Sequence, residues 1–329
     1  MSGVHRDPAG FESRFAQYVE WSRTKGYSED TINRAQYSMR KFFAWCEERG
    51  IFRPSDVTRP ILERYQRHLF HTINPRTDRP LSLSYQQTIL VQIRSFFRRL
   101  IRQNLILYNP AADIEIPRRD NTLPTDFLTR EEIERVLTQP NLSTAQGMRD
   151  RAIMETFYST GIRRMEICNL KIDDVVREQG VTIVRKGKGR KDRVVPIGER
   201  ALQWIAAYTQ QARHQLVASP DERWLFVSNT GRQIPRNRLN GWIRGYLRKC
   251  DIQKRGASHI FRHTFATHMH QGGADIRFIQ AMLGHKVLST TERYTHVVID
   301  QLKKIHAATH PAAKLKPEQN IDTDGMERI

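Results

Sequence analysis

Between Asn109 and Pro124 the chain loses its apolar periodicity. Asn109-Pro110, Ile116-Pro117-Arg118-Arg119 and Leu123-Pro124 space prolines through a charged stretch. Proline removes a backbone donor and keeps the residue before it out of the helical region, so such a stretch joins two bodies rather than crossing a core. With 329 residues there is chain enough for two cores. The expected organisation is a first domain over residues 1–112, a linker over 113–125, a second domain over 126–312 and a flexible polar tail over 313–329.

The first part reads as four helices. Phe11, Phe15, Tyr18 and Val19 recur at helical spacing up to Gly26. Ser28 caps a second run through Ile32, Met39, Phe42, Phe43 and Cys46 that Gly50 ends. Thr58-Arg59-Pro60 opens a third, carrying Ile61, Leu62, Tyr65 and Leu69 toward His71. After a proline-flanked loop, a fourth runs from about Ser84 to Gln103 with Ile89, Ile93, Phe96, Phe97 and Leu100 inward. On its flank Arg94, Arg98 and Arg102 repeat every four residues without interleaved acids. Such a stripe reads either as a solvated face or as a set of phosphate contacts.

The second part changes period. Thr129-Arg130-Glu131-Glu132 has the composition of a helix start, and a longer helix from Arg149 ends at Thr160-Gly161. Val181 to Val184 and Val194 to Ile197 flank Lys186-Gly187-Lys188-Gly189-Arg190-Lys191, a hairpin with a glycine-rich, very basic turn, and Trp224 to Val227 adds a third strand. Ala201 to Ala212, Arg236 to Cys250 and Ser258 onward read as helices. The expected fold class is mainly α with a small antiparallel β-sheet, in two domains.

Lys and Arg number 54 against 35 acidic residues, a net charge of +19 that calls for a polyanionic partner. Without a run of about 18 apolar residues, that partner is nucleic acid rather than a membrane core. Met1 to Gly10 has no apolar stretch of the signal-peptide kind, and Cys46, Cys168 and Cys250 lie far apart, so the chain reads as a cytoplasmic protein with reduced, packed thiols.

The residues with chemistry to offer lie in the second part. Opening a phosphodiester needs a nucleophile, cations on the non-bridging oxygens and an acid for the departing oxygen. Arg163 follows the Gly161 turn, with Glu166 placed to orient it. His259 and Arg262, three residues apart, share a helix face. Lys188, between two glycines, offers a mobile ammonium, with Lys186 and Lys191 as rivals. Tyr294 follows Ser289-Thr290-Thr291-Glu292, a capping box, and offers an oxygen nucleophile that nearby cations or a base such as His259 would activate. His259 with His263 also has half the spacing of a zinc site, but no Glu follows His259 and no further ligand cluster accompanies it. His263, His268 and His270 read as structural or solvent-facing.

Five segments in order carry a resemblance: Thr160 to Glu166, Gly187-Lys188-Gly189, His259-Ile260-Phe261-Arg262-His263, Leu283-Gly284-His285 and Ser289 to His296. Together they resemble the tyrosine site-specific recombinases of the phage-integrase family, in the style of the Xer-like bacterial branch. Phe261 stands where that family usually has leucine, a packing change, and Met165 where it usually has serine, which removes a hydroxyl.

The resemblance implies a two-domain DNA clamp, with Arg163, Lys188, His259, Arg262 and His285 activating the phosphate and Tyr294 as nucleophile. It implies a 3′-phosphotyrosyl intermediate, a free 5′-hydroxyl protonated by the lysine, and neither metal nor ATP. It also implies four protomers on two DNA sites, or paired related recombinases, passing through a Holliday junction. Residues 299–305 are the segment expected to dock on a neighbour. A nucleoid-associated location follows from that partner. The other readings of the same residues are relaxation of DNA in the manner of a type IB topoisomerase, and a non-catalytic DNA-binding regulator.

A clamp that neutralises six or more phosphates should lose roughly 10³-fold in duplex affinity between about 50 and about 200 mM salt. A fluorescence-anisotropy titration across that range checks it; a flat salt response would remove DNA as the partner.

Overall fold

The computed structural model describes residues 7–75, 77–117, 126–185, 192–235, 237–254, 256–284 and 296–313. The chain divides into two compact units, Met1–Leu123 and Pro124–Ile329.

In the first unit α1 (Phe11–Thr24), α2 (Glu29–Glu47), α3 (Arg59–His71) and α4 (Leu83–Arg102) enclose an aromatic core. The ends are set locally. The hydroxyls of Ser28 and Ser82 each accept the N–H of the residue three further on at 3.3 Å, and Gly26 and Gly50 take positive φ where α1 and α2 stop. Phe11 stacks on Phe43 at 4.6 Å and Phe42 meets Tyr65 edge-on at 4.9 Å. The proline-flanked loop between α3 and α4 holds a two-residue antiparallel ladder, β1 (Ile73–Asn74) with β2 (Arg79–Pro80).

Arg94 departs from the expected stripe. Its Nε donates to the Ala111 carbonyl at 2.9 Å and its Nη2 to that of Ile114, while Arg98 and Arg102 remain exposed. The cause is local: residues 109–114 have no ladder of their own to satisfy their carbonyls, and Arg94 supplies the donors. Ala111 and Ile114 are buried in the first core, so the packed chain reaches into the segment expected to be linker.

The second unit begins with α5 (Arg130–Leu137), opened by a capping box in which the Thr129 N–H reaches Glu132 at 2.7 Å and the Glu132 N–H reaches the Thr129 hydroxyl at 3.2 Å. It continues through α6 (Ala145–Thr160) and α7 (Arg164–Cys168). A sheet follows, ordered β3 (Val175–Val176), β4 (Val181–Val184) and β5 (Arg193–Pro196), with Val184 opposite Arg193. Then come α8 (Glu199–Ala207), α9 (Arg238–Lys249), α10 (Ser258–Gln271), α11 (Ile276–Leu283) and α12 (His296–Thr309). The third strand is Val175–Val176, not the expected 224–227, which forms only the isolated bridge Lys171↔Trp224 and one from Val227 to Gln233. Leu225, Phe226 and Val227 are buried in succession rather than alternately, filling the core with no face left for a sheet. Among the described residues no helix is long and apolar enough to cross a membrane.

Two features of α6 organise this unit. The helix is buried on nearly every side, so its charged residues are paired: Arg151 reaches Glu155 at 3.0 Å, Glu155 reaches Arg200 at 3.0 Å, and Arg200 reaches Glu134 at 3.0 Å. Its last turn is covered by α12. The Nε2–H of His306 donates to the Ser159 carbonyl at 2.7 Å and that of His310 to the Tyr158 carbonyl at 2.8 Å. Burial pushes His306 down to about 4 and lowers His310 well below the usual imidazole value, so both are neutral donors. Leu302 lies in the same core with Ile305 packed against it. In this single chain Leu302 and Ile305, from the segment expected to dock on a neighbour, pack against their own unit, where α12 meets α10 and β5.

Glu155→Ala removes the buried carboxylate that Arg151 and Arg200 share and should cost about 3–5 kcal/mol, read as a lowered urea midpoint. An unchanged midpoint would show that the network contributes nothing to stability.

Candidate active site

Gly161 ends α6 in the left-handed region at φ 60°. A Cβ there would lie 2.4 Å from Phe265 Cδ1 and 2.8 Å from Leu283 Cδ2, so only glycine lets α10 and α11 approach the turn. Two residues later Arg163 stands at the head of α7. Its backbone N–H donates to Glu166 Oε2 at 2.7 Å, its Nη1 to Oε1 at 3.0 Å, and its Nη2 to the Gly284 carbonyl at 3.0 Å. Glu166 orients Arg163, as its spacing predicts.

Arg262 projects from the first turns of α10 and is buried. Its Nη1 donates to the Gly161 carbonyl and its Nη2 to the Leu283 carbonyl, both at 2.7 Å. Burial first, and the charge of Arg163 next, push its pKa down to about 9, still protonated at neutral pH. One turn earlier His259 is exposed. Partial desolvation, then the neighbouring His263, Arg262, Arg164 and Arg163, lower its pKa from the usual 6.5 and favour the neutral ring. Phe261, between them, is fully buried with its ring 6.1 Å from that of Phe157, the packing role its position implies.

The structure adds a residue that the motifs do not include. Arg193, on β5, donates from Nη1 and Nη2 to the two oxygens of Glu166 at 2.8 and 2.7 Å, and from Nε to the Met282 carbonyl at 3.1 Å. Burial opposes the charge on Glu166, but the Arg193 fork, the Arg163 N–H and the Arg163 charge hold its pKa below the ordinary carboxylate value. Strand alternation could have shown that Arg193 is buried, since it shares a face with Val195, a core position, but not what it pairs with.

The structure therefore brings Arg163, Arg262 and the His259 helix together at the C-terminal end of α11. Lys186, Lys188, Lys191, His285, the Ser289 to Glu292 capping box and Tyr294 lie outside the described residues. The next residue in the chain after Gly284, whose carbonyl Arg163 holds, is His285. His268 is structural, its Nδ1 bonded to the Tyr158 hydroxyl at 2.9 Å. Among the described residues no group of three or more His, Cys, Asp or Glu side chains is arranged to hold a metal ion. Two guanidiniums with a neutral imidazole beside them suit a bound anion that gains negative charge as it reacts.

Residues 126–300 match the phage integrase family. The chain is 46% identical over 302 residues to tyrosine recombinase XerC 2 of Ralstonia nicotianae, spanning 92% of this chain and 86% of that protein. The site-specific recombinase XerH bound to its difH substrate before cleavage shares the fold, with a TM-score of 0.62 at 20% identity over 88% of this chain and 82% of that one. A lambda integrase tetramer bound to a Holliday junction does so with a TM-score of 0.63 at 16% identity over 90% and 78%. On that family match and that identity, the chain belongs to the phage integrase family as an Xer-like tyrosine recombinase.

Proposed function

We propose that this recombinase breaks a DNA strand by attack of the Tyr294 phenol on a phosphodiester gripped by Arg163 and Arg262. The observation that carries the reading is the pair of guanidiniums fixed by carbonyls at one point, the end of α11. The Tyr294 oxygen forms a bond to phosphorus, its proton passing toward His259, and the bond from phosphorus to the 5′ oxygen breaks, with Lys188 protonating the leaving group. His285 adds a hydrogen bond to the phosphate. The 3′-phosphotyrosyl bond keeps the energy of the broken one, so a 5′-hydroxyl from a second strand reverses the step and rejoins DNA without ATP.

We assign residues 1–112 to gripping the duplex as a core-binding domain, with Arg98 and Arg102 toward phosphates, and residues 126–312 to the chemistry. Four protomers on two recombination sites, working through a Holliday junction on nucleoid DNA, complete the reading. The family supports it, and so does the net charge of +19.

A substrate nicked beside the cleavage site should trap a covalent protein–DNA adduct that Tyr294→Phe abolishes; binding without any adduct in the wild type would overturn the reading. Exchange between two differently marked sites then separates recombination from relaxation. The lowered His259 pKa sets a sign for the pH dependence. As pH falls through that value the ring takes a proton and cannot accept another, so cleavage slows on the acid side. With DNA limiting, the midpoint of that limb should lie below 6.5 and the limb should vanish in His259→Asn; a midpoint above 6.5 would remove His259 from proton transfer.

A further inference from the structure

Arg193 is nearly inaccessible, with 6% of its side chain exposed, yet it carries a charge into the core of the second unit. All three of its side-chain nitrogens are used: two on the carboxylate of Glu166 and one on the Met282 carbonyl. Glu166 is saturated by the arrangement. Oε1 accepts from Arg163 Nη1 and Arg193 Nη1, and Oε2 accepts from the Arg163 backbone and Arg193 Nη2. The carboxylate cannot turn without breaking a charged hydrogen bond, and the fork that holds it is itself fixed to α11. The approach is close. A Cβ on Gly284 would lie 3.0 Å from Arg193 Nε, so the glycine that ends α11 also makes room for this guanidinium.

A buried ion pair of this kind is a poor device for stability alone, since apolar side chains of like volume often do as well. What it does supply is a fixed direction for Arg163. We infer that Arg193 is a positioning residue for strand cleavage: through Glu166 it aims the Arg163 guanidinium, and through the Met282 carbonyl it fixes the end of α11 from which the chain continues to His285. It touches no substrate, and its effect passes through residues that do. The inference rests on the proposed role of Arg163 at the scissile phosphate.

The test compares duplex affinity with the single-turnover rate of adduct formation on the nicked substrate. Arg193→Gln should slow adduct formation about 100-fold with affinity changed less than about threefold, because a phosphate grip misplaced by an ångström costs rate far more than binding. Arg193→Lys keeps the charge but not the fork. It should melt close to wild type and recover about tenfold of the lost rate, which separates positioning from folding. In an Arg163→Ala background, adding Arg193→Gln should cost less than about threefold further, since no guanidinium remains to be aimed. Full multiplication of the two losses, or wild-type cleavage by Arg193→Gln, would overturn the inference. A wild-type protein that forms no adduct would overturn the cleavage reading itself, an outcome distinct from either.

Discussion

The end of α11 is the point on which the second unit depends. The last carbonyls of a helix have no partners within it and carry the negative end of its dipole. Here three in succession are taken up by three guanidiniums: Met282 by Arg193, Leu283 by Arg262 and Gly284 by Arg163. The donors come from a strand, from α10 and from the turn after α6, so one helix end gathers four elements. Left-handed glycines stand on either side: Gly161, where no side chain would fit, and Gly284, at φ 66° with Arg193 close against it. Positioning of the arginines and capping of α11 are one set of hydrogen bonds.

The same device closes α6 one turn before the site. Its Tyr158 and Ser159 carbonyls accept from His310 and His306, which burial keeps neutral and able to donate from one nitrogen. Upstream, the Arg151, Glu155, Arg200 and Glu134 chain holds the middle of α6. Directional ionic bonds along its length and carbonyl caps at its end fix its rotation, and with it the direction in which the chain emerges at Gly161 toward Arg163.

How much of this the sequence carried depends on how local each cause is. The helices of the first unit were legible because serine caps, glycine stops and aromatic spacing act within a few residues of one another. The hairpin at Val181 and the turn at Gly161 were legible for the same reason. The two-residue strands Ile73–Asn74 and Val175–Val176 were not, since so short a ladder has no period. Trp224 to Val227 misled because a continuous apolar run suits a buried irregular segment as well as a strand. Arg94 misled because a four-residue repeat of charge says nothing of the carbonyls at Ala111 and Ile114. In the site, Arg163, His259 and Arg262 were legible from motif spacing. Arg193 was not, because its partner Glu166 lies 27 residues earlier and only the fold pairs them.

The electrostatics of the gathered arginines tie substrate binding to proton transfer. Three guanidiniums share this part-buried place with one carboxylate, and burial first, then the charge of Arg163, holds the pKa of Arg262 down at about 9. On the proposed reading, a phosphate held by Arg163 and Arg262 would offset their mutual repulsion. Burial first, then His263 and the charges of Arg262, Arg164 and Arg163, lower the pKa of His259. A phosphate's negative charge beside them screens that effect and raises the affinity of the imidazole for a proton. On the proposed role of His259, its proton affinity would rise once the phosphate was seated, when a base to take the Tyr294 proton is needed.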